Sequence, residues 1–239
     1  MHSQDYRVLT TSRTLPCIFR VCVEQTDLLI LARQDIRVEA FKAVQRLRGQ
    51  IKAWIASHPE FLSSLAPLPV DHTAPAIVQD MLRASTRAGV GPMAAVAGAM
   101  ARHVGEALLP LSPELVIENG GDIFMHCSSP QTFGILAESS EAALVAIRVE
   151  ESRPGSGMGV CTSSGRLGHS LSLGKADAVT VLAEDPCFAD ALVTALANEV
   201  QGQADINRVL QMGLELGATG VVVIVDNTIG AAGKIVFVE

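Results

Sequence analysis

Between Leu115 and Glu150 four short apolar runs follow one another: Leu115–Glu118, Ile123–Cys127, Phe133–Glu138 and Leu144–Glu150. Each is too short for an ordinary helix and rich in residues that suit a pleated surface. Polar or Pro-containing breaks separate them, too brief for the crossover that a parallel pair needs, so they read as hairpins. Tyr6–Thr10, Cys17–Glu24 and Leu28–Ala32 read as earlier strands, the last two joined at Gln25-Thr26-Asp27. Ala178–Val181 is another, and Val221–Val225 with Lys234–Val238 reads as a closing hairpin around 226–233.

The intervening segments are helical. Arg37–Ser57 carries Val38, Phe41, Val44, Leu47, Ile51, Trp54 and Ile55 at helical spacing, and His58-Pro59 ends it. Residues 59–75 hold four prolines and form a connecting segment. Ala76–Ala88, then Pro92 to about Leu109, and Asp205–Leu216 closed by Gly217, complete the set. Asp185-Pro186 starts a further helix towards Gln201, with Asp as N-cap and Pro at the first position, where its missing N–H costs nothing. Together these predict an α+β layered fold, mainly antiparallel or mixed sheets with packed helices. The expected organisation is a single domain over residues 1–239, with two lobes joined near 59–75 as the other division.

Composition narrows the function. A net charge of −7 and a single Trp and Tyr argue against a nucleic-acid partner, which needs a basic surface and stacking platforms. No apolar run is long and charge-free enough to span a bilayer, so no membrane partner is expected. The start has no basic segment leading into an apolar one, and five cysteines without a CxxC fit a reducing compartment. A cytoplasmic setting is expected. A homo-oligomer stays open.

The densest chemistry lies between Pro154 and the helix after Asp185. It holds Gly155-Ser156-Gly157-Met158-Gly159, then Thr162-Ser163-Ser164-Gly165, then His169. The glycine run matches neither the P-loop nor the dinucleotide fingerprint, and could equally be a nest for an anion or an exposed loop. Asp190 and Thr194 are four apart, so both oxygens leave one helix face. A carboxylate with a hydroxyl suits Mg²⁺, although a helix-surface pair would have the same spacing. Gly120-Gly121-Asp122 follows an apolar strand; Asp122 either shapes that turn or contacts a ligand. His169 would titrate near neutrality and could take a proton from an attacking hydroxyl. Cys127 and Cys161 sit beside these segments.

The ordered series resembles the ApbE-like FAD:protein FMN transferases over about residues 90–200. Ala189-Asp190-Ala191-Leu192-Val193-Thr194-Ala195-Leu196 is similar to their helix motif, preceded by a strand like Ala178–Val181. Thr162-Ser163-Ser164-Gly165 resembles their Thr-Ser-Gly element, Gly120-Gly121-Asp122 their Gly-Gly-Asp turn, and His169 falls where their His-x-x-Asp-Pro element begins. Gly91-Pro92-Met93-Ala94-Ala95-Val96-Ala97-Gly98-Ala99 marks a smaller family related to ApbE. The resemblance implies an ApbE-like fold, a flavin (FAD or FMN) or other nucleotide as ligand, and Mg²⁺ on Asp190 and Thr194. It also implies His169 as base, with Gly120, Gly121, Asp122, Thr162, Ser163, Ser164 and Gly165 around the ligand.

Two elements depart from that pattern. Ala97-Gly98-Ala99-Met100-Ala101 replaces Ala-Lys-Gly-Tyr-Ala, and Ser170-Leu171-Ser172 follows His169 where Asp-Pro is expected. The favoured expectation is therefore an ApbE-like ligand-binding protein of unsettled catalytic status. The alternatives are an active Mg²⁺-dependent FAD:protein FMN transferase, and a thiol-dependent protein of small-molecule sulfur metabolism using Cys127 or Cys161.

Overall fold

The computed structural model describes residues 15–137, 144–150, 152, 157–163 and 174–238. Its strands, in chain order, are β1 Cys17–Val23, β2 Thr26–Ala32, β3 Leu115–Asn119, β4 Asp122–His126, β5 Gln131–Leu136 and β6 Leu144–Val149. They continue with β7 Met158–Ser163, β8 Ala178–Ala183, β9 Gly220–Val225, β10 Thr228–Gly233 and β11 Val236–Val238. The helices are α1 Arg37–Ser57, α2 Glu60–Ser63, α3 Ala76–Ala88, α4 Val96–Leu108, α5 Pro186–Asn198 and α6 Ile206–Leu216.

Eight strands form one sheet in the order β1-β2-β3-β4-β7-β8-β9-β10, and three form a second, β11-β6-β5. Every described pair is antiparallel. One face of the large sheet presents Ile30, Ile117, Val181 and Val223 to the helices. The other presents Val116, Met125, Leu182 and Val222 to Phe133 and Ile147 of the small sheet. Central strands buried on both faces read as continuous apolar runs, which is why β8 and β9 are buried along their whole length.

α5 lies against β7 and β8 and is buried all round except at Thr194 and Asn198. The Asp185 side chain accepts the Cys187 N–H at 3.0 Å with Pro186 behind it, as expected of that pair. Several other expectations shift. α1 buries Ala40, Ala43, Val44, Leu47 and Ile51, while Val38 and Phe41 face outward, because small alanines set the close side of the packing. The turn after β1 is Glu24-Gln25, with Glu24 at φ +53°. The connecting segment contains α2, and the Pro92 helix opens with a 3₁₀ turn, Pro92–Ala95. β9 turns back at Asp226-Asn227 into β10, where the sequence pattern places the turn of the closing hairpin. Val236–Val238 pairs instead with β6 in the small sheet, correcting the expected closing hairpin. Tyr6–Thr10 lies outside the described residues.

Candidate functional site

The β3–β4 turn sets the first carboxylate. Gly120 and Gly121 sit at φ +66° and +107°, a region that L side chains resist. The Gly121 N–H donates to Glu118 Oε1 at 2.8 Å, and the Gly121 carbonyl accepts the Thr162 N–H at 3.1 Å. This fixes Asp122 as the first residue of β4, opposite Cys161 and 8% exposed. The glycines make the turn and Asp122 is a buried strand carboxylate.

Asp190 is the second, 7% exposed on α5, which removes the helix-surface reading. Its Oδ2 accepts the Gly98 N–H at 2.8 Å, and the Ala97 N–H reaches the same carboxylate. Both donors belong to the first turn of α4, where N–H groups have no partner within the helix. Asp190 therefore caps α4 from the neighbouring helix. The two helices touch because residue 98 is glycine: a Cβ there would stand 2.3 Å from the Pro186 carbonyl oxygen and 2.8 Å from the Asp190 Cβ. A lysine has no room at this contact. Asn119 Nδ2 donates to the Ala97 carbonyl at 3.1 Å and ties the same helix start to β3.

The electrostatics of the pair are unusual. Burial pushes Asp190 up to about 7 against its two backbone hydrogen bonds. Burial, and then the charge of Asp190, hold Asp122 well above the ordinary carboxylate range. The Cys161 thiol hydrogen-bonds Asp122, while Asp122 Oδ1 is buried with no hydrogen bond among the described residues. Among those residues no Lys, Arg or His side chain bonds either carboxylate. Uncompensated charges of this kind call for a proton or a cation. No three His, Cys, Asp or Glu side chains among the described residues close on one point. A cation here would complete its shell from backbone, water and ligand phosphates, as Mg²⁺ usually does.

Thr194 lies one turn beyond Asp190 and is half-buried. Ser163 shares the helix-facing side with Asp122, since Ser163 pairs with Val179 and Cys161 with Val181. Thr162 does not. The Thr-Ser element is strand rather than loop, so Thr162 faces the other side, its hydroxyl 2.9 Å from that of Thr180. Ser164, Gly165 and His169 lie outside the described residues, as do Gly155 and Ser156. Burial pushes the Cys127 thiol up to about 12 and the Cys161 thiol well above its usual value, opposite to what a thiolate nucleophile needs. They also sit on opposite faces of the large sheet. The cap on α4 was missed in the sequence; a glycine inside a helix, at Gly98, was its one available signal.

The layered α+β fold is ApbE-like. The flavin transferase ApbE of Vibrio cholerae superposes with a TM-score of 0.62 at 14% identity, over 91% of this chain and 97% of that one. The apo flavinyl transferase ApbE of Pseudomonas stutzeri gives 0.58 at 16%, over 90% and 93%. Residues 8–231 match the model of the family described as "AbpE bacteria", and the chain belongs to that family. It is 35% identical over 222 residues to a UPF0280 protein of Methanococcus aeolicus, covering 90% of each chain. It is 42% identical over 188 residues to one of Methanothrix thermoacetophila, covering 77% of this chain and 78% of that one.

Proposed function

We propose that this chain is a cytoplasmic ApbE-like protein that binds a flavin or another nucleotide with Mg²⁺ at the Asp122–Asp190 end of the large sheet. The observation that carries this reading is a buried carboxylate pair with no cationic side chain bonded to it among the described residues. Asp190 and Thr194 would hold the cation, with the free Asp122 Oδ1 close enough to share its field. Mg²⁺ bound there would neutralise the phosphates of a dinucleotide. The Gly120-Gly121 turn and Ser163 would border the ligand; Ser164, Gly165 and His169, the last as base, are assigned from the resemblance alone. Five free cysteines, three of them buried, support the cytoplasmic part of the reading.

Binding is favoured over transfer. The Gly98 contact leaves no space for the lysine that the resembled transferases carry, and Ser170-Leu171-Ser172 offers no acid beside His169. The test is to mix the purified chain with FAD, Mg²⁺ and a flavin-acceptor domain. The expected result is a saturable shift of the flavin spectrum without AMP release. Robust AMP release with covalent FMN on the acceptor would establish the transferase instead, and absence of any flavin binding would reject both.

A further inference from the structure

We propose a second ligand site, sharing no residue with the carboxylate pair: the cavity between α1, α2 and α3 takes a small organic amine with an apolar body. The connecting segment folds back across the end of α1 and borders an open-sided cleft of about 500 Å³. Small-molecule sites commonly occupy about 300–1,000 Å³, with mostly apolar walls and a few convergent polar groups. Here Leu68 and Val70 supply apolar surface above the buried Phe61 and Leu82. Trp54 forms one wall and is held in place by His58, whose ring stacks on the indole at 3.8 Å between centroids and 11° between planes. His58 and His72 also line this cavity.

The polar groups decide the class of ligand. Asp71 Oδ1 accepts the Thr73 N–H at 2.7 Å and the Thr73 hydroxyl at 2.6 Å, which locks the carboxylate in place. Its other oxygen makes no hydrogen bond among the described residues and is left to receive a donor. The Thr73 hydroxyl also holds Asp71 below the usual carboxylate range, so it stays charged. Glu60 adds a second carboxylate, and no Lys or Arg lines the cavity. Fixed negative charge beside the Trp54 indole suits an ammonium group, which gains from both. A carboxylate-bearing ligand would meet Asp71 and Glu60 with like charge.

Trp54 is the only tryptophan in the chain, so its fluorescence reads this cavity directly. The probe is 2-phenylethylamine at near-neutral pH, compared with phenylacetate and 2-phenylethanol as anionic and neutral analogues. The expected result is a saturable Trp54 change with the amine at a Kd on the order of 1 mM, the range for so small a ligand. Phenylacetate should bind at least about tenfold more weakly. Asp71→Asn keeps the acceptor for Thr73 and should fold normally while losing about tenfold in amine affinity. Val70→Phe should remove binding by filling the space. Equal binding of amine and phenylacetate, no saturable change with the amine, or unchanged affinity in Asp71→Asn would each overturn the proposal. The analogue comparison needs no variant to fold.

Discussion

The packed helices α3, α4 and α5 gather acidic side chains in two places and treat them oppositely. Around Arg102 and His103 every acid has a cationic or imidazole partner. Asp80 takes His103 Nε2 at 2.9 Å and Arg83 at 2.8 Å, and Arg102 stands 3.2 Å from Asp185 and 2.8 Å from Glu106. Burial opposes the charge on Asp80, but His103 and Arg102 outweigh it and hold its carboxyl below the ordinary value. At Asp122 and Asp190 the described surroundings supply only backbone N–H groups and a thiol, and both carboxyls are raised. The first cluster is complete as it stands. The second is complete only when something positive joins it, and that difference separates a structural network from a candidate site.

The largest expected effect comes from forcing the two helices apart at the unpartnered end. Gly98→Ala should cost about 2–3 kcal/mol in urea denaturation, because the clash with the Pro186 carbonyl exceeds the gain in helix propensity. A loss below about 0.5 kcal/mol would show that the contact yields easily. Arg102→Met comes next. It strips the partnered cluster of its shared cation and should cost about 1–2 kcal/mol, discounted because Arg102 is partly exposed.

The third effect is one of pH. Both site carboxyls are raised above the value of about 3.9 for an unfolded aspartate, so the native protein holds more protons between that value and the native ones. Stability should therefore be full at low pH and fall as pH rises from about 4 through about 7, the Asp190 value. Asp122→Asn removes one of the two charges. It should flatten that slope and add about 1 kcal/mol above neutral pH, measured as denaturation midpoints across the range. A steeper slope in the variant would contradict the pairing. The smallest effect is expected at Thr162→Val, which faces away from Asp122. Stability should change by about 0.5 kcal/mol and flavin affinity not at all.

Much of this molecule could be read before the structure. Most apolar runs of strand length among the described residues, the Asp185-Pro186 helix start and the Gly217 helix end appear where local pattern places them. What escaped was decided by distant contacts. Thr162 belongs to a strand because Gly121 and Thr180 flank it, 41 and 18 positions away, and no local signal reports either. β10 ends in Gly230-Ala231-Ala232-Gly233, whose pairing with β9 overrides their weak strand propensity. The spacing of Asp190 and Thr194 fitted a metal pair and a surface pair alike, because a 3.6-residue period cannot show that Asp190 itself is buried. Asp122 stayed open between turn residue and ligand contact because two glycines precede it.

The measurement closest to the central claim is calorimetric titration of FAD into the wild type and Asp190→Asn, each with Mg²⁺ and with a chelator. The substitution keeps a carbonyl acceptor for the Gly98 N–H while removing the charge. Saturable binding by the wild type only in the presence of Mg²⁺, weakened at least about tenfold in the variant, is the expected result. FAD binding of equal affinity in Mg²⁺ and in chelator, unchanged by Asp190→Asn, would contradict the account.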